Sequence, residues 1–163
     1  MNTKILFVCT GNVFRSVGGK YFFEKHARDC GLNHLEISSA GTVAGELKIP
    51  EFVWKKFLYA GIDVSEHMPK RLEDYHLKES DLVVAMGLNH QESIKRRGFE
   101  SYLFNEICFG EKTGVLDVGE GGGEWTQKRA EYHVRETIDY IKMSMPKFAE
   151  NYTRFLSKES AKV

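Results

Sequence analysis

Ile5-Leu6-Phe7-Val8 is an unbroken apolar run that Lys4 introduces and Thr10-Gly11 stops. Nothing polar alternates along it, so a strand built from it needs cover on both faces, the situation of a parallel strand sandwiched between helices. From Ser16 onward the pattern changes to helical spacing, with Tyr21, Phe22, Ala27 and Cys30 on or near one face and Gly31 placed to stop the helix. The chain therefore opens as buried strand, short loop and helix.

The same alternation continues. Leu35 to Ser38 reads as a second strand and Pro50 to Ala60 as a second helix, whose apolar side is Phe52, Val53, Phe57 and Leu58 and whose end is Gly61. Asp81 to Met86 is a third strand, Asn89 to Arg97 a helix, and Ser101 to Phe104 a short fourth strand. From Lys128 to about Phe155 runs a long amphipathic pattern in which Val134, Ile138, Ile141 and Met145 recur at three- and four-residue steps, with Pro146 expected to kink or break it. These elements predict an α/β three-layer sandwich, a central four-stranded parallel sheet with helices on both faces. In such sheets ligands bind beyond the carboxyl ends of the strands, which puts the loop from Cys9 to Ser16 where a site is expected.

With 163 residues, 42% of them hydrophobic, the chain suits one globular domain over residues 1–163. Lysine plus arginine and aspartate plus glutamate number 23 each, so no net field draws the protein to nucleic acid or to a membrane, and a ligand must be attracted locally. The apolar run near the amino terminus is too short for a signal peptide or a membrane span. The three cysteines, Cys9, Cys30 and Cys108, are odd in number and far apart, which suggests neither a disulfide framework nor a paired-cysteine zinc site and fits a reducing cytoplasm.

The loop carries the chemistry. Gly11 lets a strand-to-helix turn curl so that successive backbone N–H groups converge, and the helix start that follows adds positive potential, which together make an anion cradle. Arg15 can hold two oxygens of a phosphoryl group in its planar fork. The same surroundings favour thiolate over thiol at Cys9, and a thiolate beneath a bound phosphate is a nucleophile for phosphorus. Ser16 can donate a hydroxyl hydrogen bond to that sulfur. Each residue has an ordinary reading alone, as buried hydrophobe, turn glycine or solvated arginine; their concentration in one loop points to function.

Cys9-x5-Arg15-Ser16 is similar to the signature of the low-molecular-weight protein tyrosine phosphatases. The resemblance extends to Ile37-Ser38-Ser39-Ala40-Gly41-Thr42, to Gly61-Ile62-Asp63-Val64-Ser65 with His67, and to Asp81-Leu82-Val83-Val84-Ala85-Met86. It implies a phosphomonoester hydrolase acting through a cysteinyl-phosphate, with phosphotyrosine protein or a small aryl phosphoester as substrate and no metal or cofactor. Cys9 would be the nucleophile, Arg15 the stabiliser of the equatorial oxygens and Asp117 the general acid. Thr10, Gly11, Asn12, Val13, Phe14, Arg15 and Ser16 would bind phosphate, and Asn12, Ser39 and His67 would brace the loop.

The sequence departs from that family's pattern at three places. The acid is expected in Asp-Pro-aromatic, whereas here it is Asp117-Val118-Gly119, followed by a glycine-rich stretch to Glu124 that reads as a mobile loop beside the site. Glu120 and Glu124 are the substitute acids. Aromatic walls that flank a phenyl phosphate in family members are missing after Ser-Ala-Gly-Thr and after the acid, leaving Trp125 or Phe14 to serve. Phe14 also stands where many members carry a second, protective cysteine. Val13 is apolar as in tyrosine-directed members, while arginine-phosphate phosphatases tend to carry threonine there.

Two other readings compete: an arsenate reductase of the same fold, which needs further cysteines that the segment Met86 to His90 lacks, and a phosphate-recognition module without turnover. His26 and Cys30 are read as packing, Cys108 as a buried small residue, Lys95-Arg96-Arg97 as a solvated helix end, and Tyr132 and Tyr140 as packing residues of the long helix.

Overall fold

The computed structural model describes residues 1–45, 48–116 and 126–157. Four strands, β1 (Thr3–Cys9), β2 (Leu35–Gly41), β3 (Leu82–Ala85) and β4 (Tyr102–Leu103), form one parallel sheet in the order β2-β1-β3-β4. The helices are α1 (Arg15–Asp29), α2 (Glu51–Tyr59), α3 (Asp74–Glu79), α4 (Leu88–Arg96), α5 (Phe104–Phe109) and α6 (Gln127–Asn151), with a 3₁₀ turn over Tyr152–Phe155.

β1 is covered on both sides, as its composition requires. Ile5, Phe7 and Cys9 face one apolar cluster with α1, α2, α5 and α6, while Leu6 and Val8 face a smaller one with Leu77 of α3 and Ile94 of α4. The larger cluster is aromatic at its centre. Phe148 sits 5.2 Å from Phe7, 4.9 Å from Phe23 and 5.6 Å from Phe104, ring centroid to ring centroid, in tilted, edge-on and stacked contacts. Gly19 lets α1 lie flat on this layer, because a Cβ there would collide with the Phe7 ring.

β1 lies between β2 and β3, so the chain leaves its carboxyl end toward neighbours on opposite sides. That is the topological switch point where open α/β sheets bind ligands. The register sets Cys9 beside Gly41 and Val8 beside Ala85.

Several expectations need correction. Pro146 does not break the long helix: α6 runs on to Asn151. Pro146 and Lys142 are both exposed, so the missing i to i+4 hydrogen bond falls on the solvent side of the helix, where its cost is least. The fourth strand is only Tyr102–Leu103; Phe104 already starts α5, with the Glu106 carboxylate accepting from the Leu103 N–H. Cys30 is an exposed residue just past α1, its sulfur 3.5 Å from His26 Nε2 and outside the core. Leu58, at 53% exposure, also leaves the predicted apolar side of α2. Tyr132 is exposed and does not pack; Tyr140 gives its hydroxyl to Asn105 Oδ1 at 2.6 Å. Arg97 is half-buried and pairs with Asp74 at 2.9 Å, tying α4 to α3.

Candidate active site

The loop from Cys9 to Phe14 passes straight into α1, which has no side-chain cap and no acidic residue in its first turn. The positive end of the helix is therefore left uncompensated toward the loop. Asn12 adopts φ 54°, in the left-handed region that asparagine tolerates better than other side-chain-bearing residues.

Hydrogen bonds hold Asn12 in that conformation. Its two amide hydrogens go to Ser16 Oγ at 2.8 Å and Ser39 Oγ at 2.9 Å, and its Oδ1 accepts the Lys70 N–H at 3.0 Å. Its backbone carbonyl accepts from His67 Nε2 at 3.2 Å. Because Nε2 must carry the hydrogen there, Nδ1 of a neutral ring is an acceptor, and Tyr21 Oη donates to it at 3.3 Å. Burial, the leading cause, holds the His67 pKa below its ordinary value, with Lys20 and Lys70 acting in the same sense. The neutral ring and this chain of bonds are consistent with each other.

Ser16 Oγ accepts from Asn12, so its own hydrogen is available to Cys9 Sγ, 2.9 Å away. The arrangement suits a sulfur that carries negative charge. Cys9, Asn12, Ser16 and Ser39 are all buried. Gly41 allows the loop to approach β2: a Cβ there would lie 2.5 Å from the Thr10 carbonyl oxygen and 2.9 Å from the Asn12 nitrogen. Thr42 and Val43 then donate backbone N–H groups to the carbonyls of Cys9 and Thr10, both at 2.9 Å.

Arg15 is buried at 2% exposure. Its Nη1 donates to the Val115 carbonyl at 3.2 Å and its Nη2 to Thr10 Oγ1 at 3.4 Å, with the guanidinium carbon 5.7 Å from the Phe14 ring centroid. Val115 is fixed in turn by its N–H to the Met86 carbonyl at 2.7 Å. A cation this deep needs an anion or several acceptors, and these two acceptors tie the guanidinium to the end of β1 and to the segment after α5.

The fold thus brings Cys9, Thr10, Asn12, Arg15, Ser16, Ser39 and His67 together. Phe14 is half-buried against the core and Val13 is half-buried. Asp117, Glu120, Glu124 and Trp125, with the glycine-rich stretch, lie outside the described residues; Val115, whose carbonyl takes the Arg15 hydrogen bond, is two positions before Asp117. The sequence reading missed His90, a fully buried histidine whose Nε2 lies 2.7 Å from Thr10 Oγ1. Only its place just after the third strand could have drawn attention to it. Cys108 is buried, and burial pushes its thiol up to about 12. Among the described residues no cluster of histidine, cysteine and carboxylate side chains could hold a metal ion, and no helix is long and apolar enough to cross a membrane.

The sequence pattern of low molecular weight phosphotyrosine protein phosphatases matches residues 4–159. A low molecular weight protein-tyrosine-phosphatase of Streptomyces coelicolor is 35% identical over 102 residues, a stretch that covers 59% of this chain and 60% of that protein. The matched part is thus about three fifths of that relative's length. A crystal structure of a low molecular weight protein tyrosine phosphatase from T. tengcongensis superimposes with a TM-score of 0.76 at 26% identity, over 91% of this chain and 99% of that one. The arginine phosphatase YwlE of Geobacillus stearothermophilus shares the fold, with a TM-score of 0.75 at 22% identity over 93% and 94% of the two chains.

Proposed function

We propose, from the premise that the chain belongs to the low molecular weight phosphotyrosine protein phosphatase family, that it hydrolyses phosphomonoesters through a cysteinyl-phosphate on Cys9. The observation that carries this reading is the 2.9 Å contact between Cys9 Sγ and Ser16 Oγ in a loop whose Thr10 hydroxyl accepts from buried Arg15.

Cys9 thiolate attacks phosphorus and the bond to the leaving oxygen breaks. Arg15 and the loop N–H groups hold the three equatorial oxygens as charge redistributes among them. Asp117 gives its proton to the leaving oxygen. The resulting carboxylate then takes a proton from water as that water attacks the intermediate, and the sulfur departs as thiolate with the Ser16 hydroxyl donating to it. One catalytic domain over residues 1–163 carries the whole sequence, and a reducing compartment such as the cytoplasm keeps the Cys9 thiol competent. The side chains of Asn12, Ser39 and His67 hold the loop, while the Asn12 backbone N–H belongs to the phosphate cradle.

The preferred substrate is an aryl phosphate, phosphotyrosine in a protein or a small ester. Val13, in the place where arginine-phosphate phosphatases of the family tend to have threonine, supports tyrosine. Arsenate reduction is the weaker reading, because Cys108 is held as a buried thiol whose Sγ faces the Ser144 carbonyl, and Cys30 is exposed beyond the far end of α1.

Hydrolysis of p-nitrophenyl phosphate by the wild type and by Cys9→Ser tests the proposal. Turnover in the wild type should survive exhaustive chelation and vanish in the variant, which keeps its affinity for inorganic phosphate. A variant that turns over like the wild type overturns covalent catalysis by Cys9. A parallel comparison of phosphotyrosine and phosphoarginine peptides decides between the two substrate classes.

A further inference from the structure

His90 takes no part in the steps above, yet it is fully buried beside them. It sits on α4, fully buried, with Nε2 2.7 Å from Thr10 Oγ1; the same oxygen receives Arg15 Nη2 at 3.4 Å. Its other nitrogen, Nδ1, is buried and has no hydrogen-bond partner among the described residues. A buried N–H without an acceptor is costlier than an unused lone pair, so the hydrogen belongs on Nε2. The surroundings of Nδ1 agree: it lies near Gly87, where a Cβ would come within 3.1 Å of it, at the start of α4 where the helix end favours a lone pair. His90 Nε2 therefore donates to Thr10 Oγ1. Both lone pairs of that hydroxyl are then occupied, one by His90 and one by Arg15.

We infer that His90 is a positioning residue for Arg15: by fixing the Thr10 hydroxyl as an acceptor, it orients the guanidinium for an oxyanion in the loop. The inference rests on the phosphatase reading. A protonated ring would present a second positive charge to Arg15, and the site is built against that form. Burial first, and Arg15 second, lower the His90 pKa to about 4, and among the described residues Arg15 supplies the charge acting on the ring.

The test uses inorganic phosphate as probe, by calorimetry and as a competitive inhibitor, on the wild type, Thr10→Val, His90→Phe, His90→Gln and the Thr10→Val/His90→Phe pair. Loss of one hydrogen bond to a cation's acceptor predicts about a tenfold weaker phosphate affinity in Thr10→Val and in His90→Phe. His90→Gln can still donate from its amide and should stay within about twofold of the wild type, and the pair should be no worse than Thr10→Val alone. Equal impairment in His90→Gln and His90→Phe overturns the inference, as do losses that multiply in the pair. If the wild type fails to hydrolyse p-nitrophenyl phosphate, the phosphatase reading falls while phosphate affinity still reports on His90; a wild type that binds no phosphate overturns both.

Discussion

On the β2 side of the loop both amide hydrogens and the Oδ1 of Asn12 are committed at 2.8 to 3.0 Å, whereas on the β3 side Arg15 is held by a carbonyl at 3.2 Å and a hydroxyl at 3.4 Å. The first flank fixes a backbone shape with short, saturated bonds. Among the described residues the second fixes a charge with longer ones, through Val115 and Thr10, and leads within two residues to Asp117. Shape and charge are therefore supported by different parts of the fold, β2 with the segment around His67 in one case, α4 with the segment after α5 in the other. Damage to the first should spoil everything the loop does, while damage to the second should leave the sulfur and its hydroxyl partner in place.

The largest expected effect lies at the end of the second flank. Asp117→Asn should slow phosphotyrosine peptides by roughly 10²- to 10⁴-fold and an activated ester much less in its phosphorylation step, with phosphate affinity retained. Rapid-quench trapping of cysteinyl-phosphate checks it. Equal, small effects on both ester types would remove Asp117 from the acid's role and make Glu120→Gln and Glu124→Gln the next variants to measure.

On the first flank, Asn12→Val combines the loss of three side-chain hydrogen bonds with a β-branched residue at φ 54°. Turnover and phosphate affinity should fall together, turnover on the order of 10²-fold, as expected when reacting groups are displaced by about 1 Å. Retained phosphate affinity in this variant would break the contrast between the flanks. His67→Ala, one bond further out, should lower both by about tenfold. Lost turnover with unchanged phosphate affinity would instead make His67 a proton donor or acceptor in the reaction.

The flanks also carry one depressed histidine each, and their pH behaviour has a definite sign. His67 and His90 are both held below the ordinary histidine value, so as pH falls the unfolded chain takes up protons first. Their neutral burial is compatible with full stability above about pH 6.5, the unfolded value. Stability should decline as pH falls through the window below it, which for His90 extends to about 4. Urea unfolding at pH 7 and pH 5 should show a smaller drop in His90→Gln than in the wild type, by roughly 1–2 kcal/mol. The smallest effect is expected far from both flanks: Cys30→Ser, on an exposed residue past the end of α1, should leave turnover and melting temperature unchanged within error.

How much of this was legible depended on periodicity and on motif density. β1, its loop and α1 were readable because an unbroken apolar run, a glycine and a helical repeat follow one another within a few turns. α3 escaped because six residues with one buried side chain, Leu77, show no repeat. At Leu103-Phe104 the apolar run is shared between a two-residue strand and the first turn of a helix, and short runs cannot separate those alternatives. A break at Pro146 did not follow, because local propensity was weighed without the exposure of that side of α6. His90 was invisible for a different reason: its partner Thr10 is 80 residues away, and only the sheet order brings α4 beside the end of β1.

The left-handed backbone at Asn12 has a kinetic consequence. The loop's shape is enforced by bonds formed within the folded chain, so the ordering entropy of the loop falls on folding and not on binding. On the proposed reading, an oxyanion would arrive at loop donors already aimed. Stopped-flow mixing with a chromogenic phosphate analogue should then show a single phase whose rate rises linearly with concentration, and thermal loss of binding should coincide with loss of the fold.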